Sequence, residues 1–245
     1  MWSSASIVIP VYNSIDSLDE LYDKLSHTLK NIFNDYEIIL VDDYSSDNSF
    51  FKMKEIYNRS NNLKIIRLKK NFGQQNAIKC GFEYADKDFI ITMDDDLQHQ
   101  PEEIIKIMEK INEGYDVVYG IAKKKEHKFL RNMGSKLTNF LFETICYKPK
   151  NIRVSSFRCI RKNILEEIKE DKTTFVYITA ITLKITKNIG NVYVDHKPRK
   201  YGESNYNYIK LIKLFLKLYI YYSNSIFLNK FLSIHPQFEI DESYL

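Results

Sequence analysis

Residues 90–101 read IITMDDDLQHQP, an apolar, β-prone run that stops at three consecutive carboxylates. Three adjacent acids repel one another and are costly at the end of a buried strand. A divalent cation resolves this conflict, because Mg²⁺ and Mn²⁺ bind carboxylate oxygens and Mg²⁺ usually keeps substrate phosphates among its ligands. Residues two apart share a face of a strand, so we expect Asp94 and Asp96 to point the same way and Asp95 the other. The alternative is an acidic, solvated turn.

A regular alternation of strand-like and helix-like segments surrounds this run. Apolar strands are predicted at residues 6–10, 36–43, 63–68, 89–93 and 115–120, with further strands at 154–158 and 191–194. Helices are predicted at residues 14–33, 50–57 and 73–84. Continuous apolar strands that alternate with helices predict an α/β fold with a mostly parallel central sheet and helices on both faces.

The composition indicates a cytosolic globular protein with one large domain, or with such a domain and a small appendage. Its 245 residues are 44% apolar, which is enough for a packed core. The three cysteines, Cys80, Cys146 and Cys159, form no CxxC pair and no zinc-binding spacing, so reduced thiols are expected. The N-terminal sequence has no charged region followed by a long apolar core, so no signal peptide is predicted.

Positive charge is concentrated in the second half of the chain. Residues 1–119 carry 13 Lys and Arg against 21 Asp and Glu, whereas residues 120–220 carry 22 against 8. A basic half predicts an anionic partner, which could be phosphate, a membrane surface or nucleic acid. Nucleic acid is disfavoured, because the basic residues are not interleaved with aromatic residues on a recognisable module and the first half is acidic.

An apolar and aromatic segment at residues 206–232 predicts a C-terminal amphipathic helix. Lys210, Lys213 and Lys217 interrupt it at spacings of 3 and 4, so they fall on one helical face and argue against a membrane span. Such a helix either packs on the core or lies on an anionic membrane surface. The chain is therefore divided into a main domain at residues 1–205, this helical segment, and a polar tail at residues 233–245.

Polar residues follow three of the predicted strands. Open parallel sheets bind ligands beyond the carboxyl ends of their strands, and these ends carry residues 10–13, 42–43 and 94–98. A nucleotide fits this layout, with Tyr12 beside the base, Asp43 accepting a hydrogen bond from base or ribose, and the carboxylates holding a cation on the diphosphate. The sequence has no phosphate-binding P-loop motif and no GxGxxG motif, which argues against an ATPase or a dinucleotide oxidoreductase.

Several ordered segments carry a resemblance to a known family. They are residues 7–13 (IVIPVYN), 37–47 (EIILVDDYSSD), 70–77 (KNFGQQNA), 93–103 (MDDDLQHQPEE) and 114–118 (GYDVV). Together they resemble family 2 glycosyltransferases over about residues 5–220. Arg131 with Ser135 and Lys136, the run Ser156-Phe157-Arg158, and residues 199–206 (RKYGESNY) resemble its polyprenyl-phosphate branch, which includes dolichyl-phosphate mannose synthases and undecaprenyl-phosphate aminoarabinose-type transferases.

This resemblance implies a nucleotide-sugar-binding fold of the GT-A type and transfer with inversion at the anomeric carbon. The nucleotide contacts that it implies are Pro10, Tyr12, Asn13, Asp43 and Asp95. The ligands that it implies for Mg²⁺ or Mn²⁺ are Asp94, Asp96 and Gln98. Arg131, Ser135 and Arg199 would line the acceptor phosphate or the donor diphosphate, and the catalytic set would be Asp94, Asp96, Arg131 and Arg199.

The chain departs from the family pattern at several positions. The family glutamate after Tyr-Asn is Ser14 here, which removes one expected carboxylate from the nucleotide or metal site. The lysine of its Gly-x-Ser-Lys motif is Asn205, and the two membrane helices found at the end of many bacterial members are absent from this sequence. These differences bear on the donor and the acceptor more than on the fold.

The function that the sequence favours is transfer of a sugar, by default from a UDP-sugar, to a polyprenyl phosphate by a peripheral protein on the cytoplasmic face of the plasma membrane. An ionised lipid phosphate needs no general base, whereas a sugar hydroxyl does. The alternative is addition of a sugar to a glycan hydroxyl in lipooligosaccharide or capsule synthesis. A third interpretation, from a different class, is a nucleotide-binding module without catalysis.

Overall fold

The computed structural model describes residues 1–123, 142–197, 208–222 and 236–245. The strands are β1 (Trp2–Val11), β2 (Phe33–Asp42), β3 (Leu63–Leu68), β4 (Phe89–Thr92), β5 (Val117–Ala122), β6 (Arg158–Arg161), β7 (Ile189–Val194) and β8 (Ile240–Tyr244). The helices are α1 (Ile15–Ile32), α2 (Ser49–Tyr57), α3 (Gln74–Tyr84), α4 (Ile104–Ile111), α5 (Lys162–Glu170), α6 (Ile178–Ile185) and α7 (Tyr208–Tyr222). A 3₁₀ turn at Pro101–Glu103 leads into α4.

The described strands form one sheet in the order β7-β5-β6-β4-β1-β2-β3-β8. The pairs β1–β2, β1–β4, β2–β3 and β5–β7 are parallel, whereas β6 and β8 run antiparallel to their neighbours. Alternate residues of β1 enter different cores: Ile7 and Ile9 pack with α1, α2 and α4, and Val8 packs with α3, α5 and α6. The predicted α/β fold, mostly parallel with helices on both faces, is confirmed.

The parallel register aligns the ends of the central strands. Val11 at the end of β1 pairs with Asp42 of β2, and Val8 pairs with Thr92, the last residue of β4. The loops that follow β1, β2 and β4 therefore meet at one edge of the sheet. This edge is the one at which open parallel sheets bind their ligands.

The strand predicted at residues 154–158 is displaced, since β6 begins at Arg158. Ser155 accepts a hydrogen bond from the backbone N–H of Phe157 at 3.2 Å, and the carbonyl of Ser156 accepts one from Thr92 Oγ1 at 2.5 Å. Such local side-chain bonds compete with a strand ladder. The β-prone run therefore starts as a polar loop beside β4 and becomes a strand only at its end.

The segment predicted as a polar tail contains strand β8, which pairs antiparallel with β3 at the edge of the sheet. The acids of this segment pair with lysines of the first half: Glu242 with Lys54 at 2.6 Å and Glu239 with Lys69 at 3.3 Å. Burial alternates along β8, as expected for an edge strand with one covered face. In the sequence, Ile240 and Tyr244 alternate with the polar residues Asp241 and Ser243, a pattern that indicates a strand.

Helix α7 occupies part of the segment predicted to be an amphipathic helix. Leu218 and Tyr222 are buried, and the hydroxyl of Tyr222 donates to the carbonyl of Phe175 at 2.7 Å. Lys213, Lys217, Leu216 and Tyr219 are exposed. Among the described residues, no helix has the length and apolar character needed to cross a membrane.

Candidate active site

A cavity of about 300 Å³ lies at the carboxyl-end edge of the sheet, between the loops that follow β1, β2 and β4. It is lined by Pro10, Val11, Tyr12, Asp43, Asn71, Gly73, Gln74 and Asp95. Four of these residues, Pro10, Tyr12, Asp43 and Asp95, are the ones that the sequence analysis assigned to a nucleotide. The fold thus brings residues from distant parts of the chain to one pocket.

Asp43 organises the loop that enters α3. Its two carboxylate oxygens accept the backbone N–H groups of Phe72 at 2.7 Å and Gly73 at 2.9 Å. Gly73 has a φ of 92°, a conformation that favours glycine. Asp43 is 3% exposed, and this burial raises the pKa of its carboxyl to about 6 in spite of the two hydrogen bonds. Asp43 therefore shapes the floor of the cavity as well as lining it.

Asn13 holds the neighbouring loop rather than lining the cavity. Its φ is 52°, and its side-chain oxygen accepts the backbone N–H of Ser46 at 2.8 Å. Its own N–H donates to Ser45 Oγ at 2.9 Å. Tyr12, one residue earlier, is 51% exposed at the cavity. The loop that follows β2 therefore fixes the backbone that presents Tyr12.

Asp94, Asp95 and Asp96, here called the acidic triplet, lie beyond the end of β4, so the alternation of strand faces does not govern them. The oxygens of Asp94 accept hydrogen bonds from Gln74 Nε2 and from Ser156 Oγ, both at 2.6 Å. Asp96 Oδ1 accepts the backbone N–H of Gln98 at 3.1 Å, across Leu97 with a φ of 57°.

Asp95 turns toward the loop after β1. Its Oδ2 accepts the N–H of Tyr12 at 3.2 Å and the hydroxyl of Ser14 at 2.5 Å. Burial raises the pKa of the Asp95 carboxyl to about 6, opposed by these two hydrogen bonds. The three adjacent carboxylates therefore have three separate sets of partners, which limits their mutual repulsion.

Residues 195–197 lie against the loop that follows the acidic triplet. The N–H of Lys197 donates to the carbonyl of Gln98 at 2.9 Å, and Lys197 Nζ donates to Gln100 Oε1 at 3.0 Å. The rings of His99 and His196 pack edge to face, with their centroids 4.8 Å apart. Burial of the His99 imidazole lowers its pKa to about 4. The predicted site residues Arg131, Ser135 and Arg199 lie outside the described residues.

Comparison with known proteins shows the family of the chain that carries this pocket. The sequence model described as Glycosyl transferase family 2 matches residues 6–169. The chain belongs to this family. It is 36% identical over 219 residues to undecaprenyl-phosphate 4-deoxy-4-formamido-L-arabinose transferase of Proteus mirabilis (strain HI4320), an alignment that spans 88% of this chain and 67% of the relative.

Solved structures of glucosyl-3-phosphoglycerate synthase from Mycobacterium tuberculosis have a similar fold. The complex with Mn²⁺, UDP and phosphoglyceric acid superposes with a TM-score of 0.66 at 13% identity, covering 89% of this chain and 76% of that one. The complex with Mn²⁺, UDP-glucose and phosphoglyceric acid gives a TM-score of 0.65, with coverages of 89% and 77%. These similarities confirm the predicted GT-A type of fold for this family 2 glycosyltransferase.

The side chains around the acidic triplet have the chemistry of a divalent-cation site. No cluster of three His, Cys, Asp or Glu side chains suited to a metal is found in the described ranges. The third predicted ligand, however, is an amide. The Nε2 of Gln98 donates to the carbonyl of Lys197 at 3.5 Å, and its side chain also carries an oxygen, the atom type that Mg²⁺ and Mn²⁺ prefer. Two carboxylates and one amide therefore supply donor types that suit such an ion.

The sequence analysis missed several residues of this site. Gln74 and Asn71 line the cavity, and Gln74 and Ser156 hold Asp94. Gln74 and Asn71 lie within the matched segment 70–77, and Ser156 within the run that suggested the polyprenyl-phosphate branch. These residues lie in segments that match the family. A contact between a neutral amide or hydroxyl and a carboxylate is nevertheless harder to predict from sequence than a partner for an unpaired charge.

The pKa of Asp43 predicts acid-sensitive nucleotide binding by this glycosyltransferase. A carboxyl with a pKa of about 6 is mostly ionised at pH 7 and about nine-tenths protonated at pH 5, where it cannot accept both loop N–H groups. The carboxyl of Asp95 in the same cavity also has a pKa of about 6, so we expect affinity for the probe nucleotide UDP, measured by titration calorimetry, to fall at least about tenfold from pH 7 to pH 5. Asp43→Asn should bind weakly at both values and show a shallower pH slope than the wild type; an unchanged slope would contradict the assignment.

The contact between Ser14 and Asp95 predicts that this pair tolerates only one carboxylate. Ser14→Glu would place a second acid against Asp95 Oδ2, where the hydroxyl now lies at 2.5 Å, and like charges so close cost several kcal/mol. We expect UDP affinity to fall on the order of 100-fold, against about fivefold for Ser14→Ala, which loses only a hydrogen bond. The double variant Ser14→Glu/Asp95→Ser should recover most of the loss; a loss that persists would refute the pairing.

Proposed function

We propose that this protein transfers a sugar from a nucleotide sugar to a polyprenyl phosphate, with inversion at the anomeric carbon. The observation that carries the proposal is the 36% identity to a protein named as an undecaprenyl-phosphate sugar transferase, combined with a cavity lined by the predicted nucleotide residues. Pro10, Tyr12, Asp43 and Asp95 would bind the nucleotide, with Asn13 fixing the backbone beside them.

The donor is proposed to be a UDP-sugar. The similar glucosyl-3-phosphoglycerate synthase structures contain UDP or UDP-glucose with Mn²⁺. In this chain the exposed ring of Tyr12 and the carboxylate of Asp43 lie at the same cavity, so they could contact the base and its polar edge. The acidic triplet reaches the same cavity through Asp95, and the diphosphate would be placed beside it.

Asp94, Asp96 and Gln98 are proposed to hold Mg²⁺ or Mn²⁺. When bound, such an ion neutralises the negative charge that develops on the departing nucleoside diphosphate. The contribution of the chain itself is orientation. Gln74 and Ser156 hold the two oxygens of Asp94, and the backbone of Gln98 holds Asp96, so both carboxylates are oriented by neighbouring groups.

In the proposed reaction an oxygen of the lipid phosphate forms a bond to the anomeric carbon. The bond from that carbon to the diphosphate oxygen breaks, and its electron pair leaves on the diphosphate. The acceptor phosphate is already ionised, so no side chain has to remove a proton. Arg131, Ser135 and Arg199 are proposed to hold the acceptor or donor phosphates, a role that suits the forked hydrogen bonds of arginine.

The protein is proposed to work peripherally on the cytoplasmic face of the plasma membrane. The main domain would comprise residues 1–205 together with β8, which completes its sheet, and residues 206–232 would lie at the membrane interface. On α7, exposed Lys213 and Lys217 accompany exposed Leu216 and Tyr219. This combination of cationic and apolar side chains suits an anionic lipid surface.

The proposal is tested by offering purified protein a panel of radiolabelled nucleotide sugars with Mg²⁺ or Mn²⁺. Each reaction contains either undecaprenyl phosphate or undecaprenol in detergent, so that the two lipids differ only in the phosphate. We expect labelled lipid from one donor, with the phosphorylated lipid only. If neither lipid is labelled but a glycan fraction added in place of the lipid is, the acceptor is a hydroxyl group.

A further inference from the structure

Arg158, the first residue of β6, is a buried cation. Its side chain is 2% exposed in the centre of the sheet. Its Nε donates to Thr92 Oγ1 and its Nη1 to Thr179 Oγ1, both at 3.1 Å, and its guanidinium lies 5.6 Å from the ring centroid of Tyr119. Within the described ranges, each of these partners is a neutral group.

Such an arrangement is costly for folding. Removing a charge from water without an opposite charge beside it is unfavourable, and apolar replacements of buried charges are often neutral or stabilising. Two threonine hydroxyls satisfy only part of the five N–H donors of a guanidinium. Among the described residues, stability alone therefore gives little reason for arginine at this position, whereas its hydrogen bond to Thr92 leads toward the acidic triplet.

A short series of hydrogen bonds connects Arg158 to the acidic triplet. Thr92 Oγ1 accepts from Arg158 and donates to the carbonyl of Ser156 at 2.5 Å. The hydroxyl of Ser156 donates to Asp94 Oδ2 at 2.6 Å. Asp94 is thus held on one side by Gln74, and on the other by a serine whose backbone is fixed through Thr92 and Arg158.

We propose that Arg158 is a positioning residue for Asp94, acting through Thr92 and Ser156. This inference rests on the proposed function, because it assigns Arg158 to the site that would hold the cation. Arg158 fixes the orientation of Asp94 before the cation and the nucleotide arrive, at some cost in stability.

The inference predicts that stability and metal affinity change in opposite directions in Arg158→Met. Methionine is unbranched and apolar, so the melting temperature should equal or exceed that of the wild type. Mn²⁺ affinity, measured from the free-ion signal in electron paramagnetic resonance in the presence of UDP, should fall about 10- to 100-fold, as for other groups that orient metal ligands.

Arg161 provides the matched control, since it lies on the same strand. It donates to the carbonyls of Tyr115 at 2.8 Å and Ile111 at 2.8 Å, away from the triplet. Arg161→Met should lower the melting temperature and leave Mn²⁺ affinity unchanged. A merely structural role for Arg158 would give it the same result as Arg161.

Thr92→Val tests the hydrogen-bond path, because it removes the hydroxyl and keeps the shape of a side chain that is fully buried. It should weaken Mn²⁺ binding, and the double variant Arg158→Met/Thr92→Val should be no weaker than Arg158→Met alone. Arg158→Lys, which keeps the charge, should recover part of the affinity.

The outcomes separate this inference from the proposed function. Wild-type protein that binds Mn²⁺ and UDP, together with Arg158→Met protein that binds them equally well, overturns the inference and leaves the proposed function standing. Additive losses in the double variant overturn the path through Thr92. Wild-type protein that binds neither Mn²⁺ nor UDP contradicts the proposed function and the inference together.

Discussion

Asp96→Asn protein is expected to fold normally and to transfer sugar about a thousandfold more slowly than the wild type. In the wild type, Asp96 Oδ1 accepts the N–H of Gln98 at 3.1 Å and so closes the turn around Leu97. The side-chain oxygen of asparagine can still accept this hydrogen bond. What is lost is one negative charge at the proposed cation site. The measurement is the initial rate of labelled-lipid formation, at several Mn²⁺ concentrations, beside the melting temperature of each protein.

The matched control for this substitution is Asp23→Asn, at an exposed position on α1. It removes the same charge far from the triplet and should leave the rate within twofold of wild type, as surface substitutions usually do. A rate restored by high Mn²⁺ in Asp96→Asn would show weakened binding of the ion at an intact site. A near-wild-type rate of Asp96→Asn at low Mn²⁺ would show that Asp96 is not a ligand of the metal ion.

Arg199→Ala is the second substitution for which we expect a large effect. Arg199 lies outside the described residues; it follows by two positions Lys197, whose backbone N–H donates to the carbonyl of Gln98 at 2.9 Å. The proposed function assigns its guanidinium to a phosphate of the acceptor or the donor. Loss of a charge-assisted, forked contact should lower the rate at limiting undecaprenyl phosphate on the order of 100-fold.

The affinity for UDP distinguishes the two roles proposed for Arg199. If Arg199 holds the acceptor, UDP binding by calorimetry stays at the wild-type value and only the dependence on lipid phosphate changes. If it holds the donor diphosphate, UDP binding weakens in parallel. Arg199→Lys should recover less than half of the lost rate, because lysine lacks the fork. Arg59→Ala, at an exposed arginine paired with Asp19, is the control.

Much of the fold follows from local sequence patterns. The strands at the centre of the sheet are continuous apolar runs, and the helices between them have apolar residues at helical spacing, as in α1, where Leu18, Leu21, Leu25 and Leu29 are all buried. The position of β6 and the presence of β8 were harder to predict. Both depend on contacts between distant parts of the chain: Thr92 with Ser156, and Lys54 with Glu242.

In the candidate site, too, some residues could be predicted from the sequence and others could not. Charged residues that follow strands, such as Asp43 and Asp95, could be assigned from sequence because an unpaired acid at a strand end calls for a partner. Their partners could not, since the backbone N–H of Gly73 and the hydroxyl of Ser14 belong to loops whose path depends on the assembled sheet. Arg158 entered the sequence analysis only through the resemblance, and its burial is visible only in three dimensions.

Sugar transfer to the lipid phosphate is tested most directly by determining the chemical linkage in the reaction product. Undecaprenyl phosphate is incubated with the preferred nucleotide sugar and the protein, and the purified lipid is examined by ³¹P nuclear magnetic resonance and mass spectrometry. The account predicts that the phosphate monoester becomes a diester and that the lipid gains the mass of one sugar residue. A lipid phosphate that stays a monoester while the nucleotide sugar is consumed would contradict it.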